Sequence, residues 1–221
     1  MLSRSSLRIR AILGAALLLG LTGPLAAREP ANLNRLKDEI RAYLDSGEYD
    51  RDIGAVATQA DAWLVGRAKQ GGARLAVVFD LDETLLSNLP LMRRLDFGYV
   101  PDLWNAWVAA GEAPVIAPVR EVYRTARRLG LDVIFLSGRR ERDRAGTEKN
   151  LRAIGCGEYT VLILKADASK EATGAFKLAE RRRLAAEGHV IVANIGDQDS
   201  DFTGGFAERT FKLPDPFYLM K

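Results

Sequence analysis

Leu75-Ala76-Val77-Val78-Phe79-Asp80-Leu81-Asp82-Glu83-Thr84 is the stretch whose reading decides the fold. Its first half is a short, unbroken apolar run, the pattern of a strand buried on both faces. Strands of that kind belong to parallel sheets covered by helices on each side. Its second half sets two carboxylates two residues apart where the strand ends. Residues i and i+2 of an extended chain face the same way, so Asp80 and Asp82 are expected to point to one side.

Downstream, helix and strand signals alternate. Residues 118–129 carry Val119, Val122, Tyr123, Ala126 and Leu129 at helical spacing, opened by Pro118 and closed by Gly130. Residues 131–136 read as a second strand, 141–154 as a helix, 159–164 as a third strand, 173–187 as a helix, 190–195 as a fourth strand and 209–213 as a fifth. This alternation predicts an α/β domain with a central parallel sheet and right-handed crossovers. Upstream, 32–70 reads as two helices broken at Ser46-Gly47. Between Thr84 and Ser137, a short helix over 102–110 carries Trp104 and Trp107 on one face. Those rings are expected either to line a pocket or to pack on the core, with packing favoured.

Ligands of such sheets bind beyond the carboxyl ends of the strands. Strand one ends in Asp80 and Asp82, strand two in Ser137-Gly138-Arg139, and strand four in Gly196-Asp197-Gln198-Asp199-Ser200-Asp201, while Lys177 lies near the start of the helix into strand four. Carboxylates gathered without a counter-ion repel one another, and a divalent cation removes the conflict. One histidine (His189) and one cysteine (Cys156) exclude multi-histidine and cysteine-rich metal sites. A metal here must be held by oxygen, which favours Mg²⁺ on Asp80 and Asp197. Phosphoryl transfer suits this set: Mg²⁺ and Lys177 neutralise charge, and Ser137 and loop N–H groups donate to phosphoryl oxygens. A carboxylate can attack phosphorus, and a second one two residues on can move the proton. Each signal alone has a bland alternative, such as a solvated turn, an acidic loop or a surface lysine. Their order and their places at strand ends carry the argument.

These residues resemble the four motifs of the haloacid dehalogenase (HAD) superfamily: DxDxT at Asp80–Thr84, Ser137, Lys177, and GDxxxD at Gly196-Asp197 with Asp201. The stretches FDLDETLLSNLP, FLSGR, Phe176-Lys177 with Arg181, NIGDQDSDF and the ending KLPDPFYLM are similar to the plant acid phosphatase and vegetative storage protein group (subfamily IIIB) and its secreted bacterial relatives. The resemblance implies a HAD-like Rossmannoid three-layer sandwich with an N-terminal helical extension over 28–72 and a small cap-like insertion over 85–117. It implies an acid phosphatase with Asp80 as nucleophile and Asp82 as general acid/base. Ser137, Gly138 and Lys177 would hold phosphate. Asp80, the Asp82 backbone carbonyl and Asp197 would bind Mg²⁺, with Thr84, Asp201 and Arg139 in support. Arg139 is expected to hold either substrate or a neighbouring carboxylate. Phe176 and Asp199 stand where the group often has Tyr and Trp, which bears on substrate preference. A phosphotransferase uses the same residues, and a storage protein on this fold is the non-catalytic alternative. The intact Asp80 speaks against the latter.

Residues 1–27 combine Arg4, Arg8 and Arg10, a 13-residue apolar run (11–23) and a small-residue exit at Ala26-Ala27. This predicts a cleavable signal peptide rather than a membrane anchor, and a periplasmic or secreted domain over 28–221. Of 32 basic residues those three fall in the leader, leaving 29 against 29 acidic ones, so nucleic-acid binding loses its compositional support. The expected partner is a small phosphomonoester, with oligomeric state left open. With 48% hydrophobic and 28% charged residues the chain is not a disordered, collagen-like or coiled-coil protein.

Overall fold

A computed structural model describes residues 29–220; the expected signal peptide lies outside the described residues. Residues 29–32 have no regular structure, and the unit that begins at Leu33 carries the sheet and its helices. Strands β1 (Leu75–Phe79), β2 (Asp132–Arg140), β3 (Val161–Lys165), β4 (Val190–Gly196) and β5 (Thr210–Lys212) form one sheet in the order β3-β2-β1-β4-β5. Every strand pair is parallel. The chain builds outward from β1 on one side, then crosses back to place β4 on the other. That reversal opens a crevice at the carboxyl end of β1, where open α/β sheets bind ligands.

The strands alternate in what they bury. Val77, Phe79, Val133, Phe135, Leu162 and Leu164 pack on one face, against the helices α1 (Leu33–Asp45), α2 (Glu48–Ala68), α5 (Ala117–Arg128) and α6 (Arg144–Ala153). Ala76, Val78, Ile134, Leu136 and Ile163 face the other way, onto Phe176 and Leu184 of α7 (Thr173–Ala186). Helix α2 is tied directly to the sheet, because Trp63 Nε1 donates to the carbonyl of Val192 at 2.8 Å. No helix among the described residues is long and apolar enough to cross a membrane.

Between β1 and α5 the chain makes a closed excursion. Ser87 N donates to Pro114 O at 2.8 Å and Ile116 N to Leu85 O at 2.9 Å, so the excursion is pinned at its base. It carries α3 (Leu89–Arg94) and α4 (Pro101–Ala110). Helix α4 docks on α6 at Gly146, where a Cβ would stand 2.3 Å from Val108 O; the backbones approach too closely for any side chain. Helix α3 has no counterpart in the sequence reading, since six residues opening on Leu89-Pro90 are too few to show helical periodicity.

The second strand also differs from expectation. It continues to Arg140, so Ser137-Gly138-Arg139 lies within β2 and not after it. Pairing with β3 breaks between Leu136 and Arg140, and this irregularity carries the three residues past the edge of the regular sheet.

Candidate active site

Asp80 is the residue immediately after β1, and its N–H donates to Ile195 O of β4 at 2.9 Å. The sheet itself therefore fixes it at the crevice. Lys177, in the first turns of α7, ion-pairs with both Asp80 Oδ1 and Asp201 Oδ1. All three side chains are buried. Asp201 is held by its own loop: Oδ2 accepts Gln198 N at 2.9 Å, and its carbonyl accepts Asn194 Nδ2 at 2.7 Å. Arg181, fully buried, spans the same loop by donating to the carbonyls of Asp201, Thr203 and Gly205. Gly196 is required where this loop closes, because a Cβ there would meet Asp201 Oδ2 at 2.2 Å. Asp197 follows, with Oδ1 accepting Thr84 Oγ1 at 3.1 Å and Oδ2 accepting Gln198 Nε2 at 2.7 Å.

Charge is arranged sharply. Burial pushes the Asp80 carboxyl well above the usual range; Lys177 pulls it back, while Asp201, Asp197 and Asp82 add repulsion. Burial and the neighbouring Asp201 push Asp197 up to about 8. Burial works against the Lys177 charge, but Asp80 and Asp201 more than offset it and raise the amine above its usual range. One buried cation thus faces three buried carboxylates. Oxygens of Asp80, Asp197 and Asp201 lie within 4.8 Å of one another. Asp80 Oδ2 accepts no hydrogen bond from any described residue, whereas both oxygens of Asp201 are taken by Lys177 and Gln198. An all-oxygen, acid-rich donor set with a residual negative charge fits a hard divalent cation.

Asp82 stands apart from that cluster. Arg139 Nη2 donates to its Oδ1 at 2.7 Å and Arg139 Nε to its Oδ2 at 3.0 Å. Burial raises the Asp82 carboxyl, but the charge and hydrogen bonds of Arg139, with a bond from Asn88, reverse the shift and hold it below the usual range. Of the two expectations for Arg139, the structure selects the neighbouring carboxylate. Arg139 is fixed in turn by Thr147 Oγ1 at 3.1 Å from Nη1. Ser137 is buried, its Oγ accepts Arg139 N at 3.2 Å, and Ser137 and Gly138 line the same cavity as Asp80, Asp82, Lys177 and Asp197.

That cavity measures about 610 Å³. Its floor is the strand-end set; its walls are Leu91 and Met92 of α3, Phe97, Tyr99, Trp104 of α4, and Phe217–Met220 of the C-terminal segment. The N-terminal helices supply no wall residue. The two tryptophans divide: Trp104 lines the cavity and lies 6.2 Å from the Tyr99 ring, while Trp107 turns inward and donates from Nε1 to Asn88 Oδ1 at 2.8 Å. The structure adds residues the sequence reading passed over. Gln198 bridges Asp197, Asp215 and the Met220 N–H, tying the C-terminal segment to the metal-competent carboxylates. Glu83, Asn88 and Tyr218 form a further buried network. Gln198 sat inside a quoted motif, and the signal for the tail was the ending KLPDPFYLM itself. His189 is structural, with Arg74 on Nε2 at 2.8 Å and Asp132 beside Nδ1 at 3.1 Å. Cys156 is buried and burial pushes its thiol up to about 11, away from the nucleophilic thiolate form.

The chain is similar to known proteins in sequence and in fold. The family described as HAD superfamily, subfamily IIIB (Acid phosphatase) matches residues 26–221. The stem 28 kDa glycoprotein of Glycine max is 35% identical over 191 residues, covering 83% of this chain and 74% of the relative. Acid phosphatase 1 of Solanum lycopersicum is 35% identical over 189 residues, with the same coverage of 83% and 74%. Vegetative storage protein 1 of Arabidopsis thaliana is 31% identical over 198 residues, covering 86% and 73%. In three dimensions the chain is similar to the class C acid phosphatase from Bacillus anthracis, solved with tungstate bound, at a TM-score of 0.70 over 83% of this chain and 86% of that one; at 24% identity this likeness concerns the fold. The chain belongs to the HAD superfamily, subfamily IIIB, the acid phosphatases, whose reaction is the hydrolysis of phosphoric monoesters.

Proposed function

We propose that this chain is a Mg²⁺-dependent acid phosphatase that hydrolyses small phosphomonoesters through an aspartyl-phosphate on Asp80. The observation that carries the reading is the buried Lys177 amine shared by Asp80 and Asp201 at the floor of an accessible cavity. Asp80 Oδ2 accepts no hydrogen bond among the described residues and is the atom suited to attack phosphorus. Lys177, Ser137 and the backbone at Gly138 take the phosphoryl oxygens. Asp80, the Asp82 carbonyl and Asp197 would hold the divalent cation, which would supply the remaining positive charge. Thr84 and Asp201 steady Asp197 and Lys177.

The protons balance between two half-reactions. Asp80 bonds to phosphorus as the ester P–O bond breaks, and protonated Asp82 gives its proton to the departing oxygen, which leaves as an alcohol. Asp82, now ionised, takes a proton from the water that attacks phosphorus; inorganic phosphate leaves and Asp80 is restored. Arg139 favours the ionised form needed for the second half.

The leader composition supports export to the periplasm or medium, and relatives whose names include "glycoprotein" fit that reading. A storage role, suggested by the vegetative storage protein relatives, is disfavoured by the intact Asp80–Lys177–Asp197 set. The test is p-nitrophenyl phosphate hydrolysis by the wild type and Asp80→Asn, each with Mg²⁺ and with chelator, together with acid-quenched mass spectrometry. Metal-dependent turnover and one phosphoryl group on the peptide holding Asp80 are expected. Equal activity in Asp80→Asn removes Asp80 from the mechanism.

A further inference from the structure

Asn88 is fully buried beside the site, six residues past Asp82, and none of the four family motifs includes it. Its side-chain amide is committed on every side. Nδ2 donates to Asp82 Oδ1 and to Glu83 Oε2, each at 2.9 Å. Oδ1 accepts Trp107 Nε1 at 2.8 Å. An indole N–H can only donate, so this bond dictates which end of the amide faces Trp107 and which faces the carboxylates. Glu83 takes φ 51, accepts the backbone N–H of Asn88 at 2.6 Å and is held from the C-terminal segment by Tyr218 OH at 3.1 Å.

The consequence falls on Asp82, whose two oxygens are not equivalent. Oδ1 receives Asn88 Nδ2 at 2.9 Å, Arg139 Nη2 at 2.7 Å and Arg139 Nε at 3.2 Å. Oδ2 receives Arg139 Nε alone, at 3.0 Å. A carboxylate oxygen has two lone-pair directions, so Oδ1 is saturated and Oδ2 keeps one free. We propose that Asn88, aimed by Trp107, is a positioning residue that occupies Asp82 Oδ1 and leaves Oδ2 as the oxygen that hands the proton to the leaving group. The inference rests on the reading of Asp82 as general acid. In the step, the Oδ2–H bond breaks as the leaving oxygen takes its proton and parts from phosphorus. Asp82 remains as a carboxylate held by Asn88 and Arg139. Helix α4 of the insertion, otherwise a cavity wall, thereby sets the geometry of proton transfer through Trp107.

The test compares kcat/KM on p-nitrophenyl phosphate, whose leaving group departs with little help, and phenyl phosphate, whose more basic leaving group needs the proton. Asn88→Leu is expected to lose about tenfold more on phenyl phosphate than on the nitrophenyl ester. Trp107→Phe, which keeps the ring and removes only the N–H, is expected to show the same bias at about threefold. Inhibition by inorganic phosphate is expected to stay at the wild-type level in both. Equal losses on the two substrates, or weakened phosphate inhibition, would mean a merely structural role and overturn the proposal. Trp107→Phe carries the test if Asn88→Leu does not fold. Asp82→Asn is the control: absence of bias there overturns the acid role itself, whereas bias in Asp82→Asn without bias in the other two overturns only the role of Asn88.

Discussion

The floor and the walls of the cavity are built on different principles. The floor is Asp80, Ser137, Lys177, Asp197 and Asp201, drawn from three strand ends and one helix, buried and locked by charge. The walls are α3, α4 and the C-terminal segment, where Tyr99 is 68% and Leu219 70% exposed and aromatic rings pack on one another, Phe97 on Phe217 and Tyr99 on Trp104. Groups that must meet developing charge need preorganisation, and a parallel sheet provides it. A wall that only shapes the entrance carries no such demand. The floor should therefore govern the chemical step and the walls should govern which ester enters.

The sharpest break between the two is Asp80→Asn, expected to lower kcat by on the order of 10⁴-fold or more while far-UV circular dichroism stays native. Next comes Lys177→Met. It removes the buried cation beside Asp80 and Asp201 and is expected to lower kcat by about 10²–10³-fold in steady-state assays. It should also lower Tm, since Asp80 and Asp201 lose their shared partner.

Metal binding sharpens the comparison through pH. Asp197 lies near 8 and Asp80 is also raised, whereas an unfolded aspartate titrates near 4. The folded, metal-free protein then holds protons that the unfolded chain has released. The contribution of these two groups to stability is fully present below about pH 4 and is lost as pH rises toward 8. A divalent cation bound by these carboxylates would displace those protons, so any rise in Tm produced by Mg²⁺ is expected to grow between pH 5 and pH 8 in differential scanning fluorimetry. A constant rise across that range would contradict the charge arrangement described for the floor.

The walls should answer more quietly. Gly146→Ala drives a methyl into Val108 O, so α4 must shift away from α6. A cost of about 1–3 kcal/mol is expected in urea unfolding, with KM rising more than kcat falls. Leu219→Ala is expected to stay within about 0.5 kcal/mol of wild type and to change only the ranking of substrates. A loss of kcat in Leu219→Ala would erase the distinction between wall and floor.

Much of the floor was legible beforehand. Strand β1 was read with its observed bounds because a five-residue apolar run at that place has no competing reading. Acids directly after strands are a local signal that points to Asp80 and Asp197, and Lys177 stands out by its place near the start of the helix into strand four; the structure brings Lys177 onto Asp80. Asp201 is expected only in a supporting role, and the structure pairs it with Lys177. The bounds of β2 and β3 were shifted, since where a strand stops depends on its neighbour, and β2 outruns the regular pairing. Arg139 stayed ambiguous because a guanidinium finds its carboxylate across 57 residues of chain. Trp104 and Trp107 share a helix face by spacing, yet only one lines the cavity, because Asn88 offers Trp107 a buried acceptor.

From its residues alone this protein determined an α/β parallel sheet, the order of its elements and the carboxylates and lysine at the strand ends. Hydrophobic periodicity and strand-end chemistry are properties of short stretches. The tertiary structure alone decided the strand order, the crevice beside β1, the clamp of Arg139 and Asn88 on Asp82, and the C-terminal segment that closes the cavity through Gln198 and Tyr218. Each of these depends on which distant groups meet once water is excluded, and burial then turns ordinary hydrogen bonds into fixed geometry.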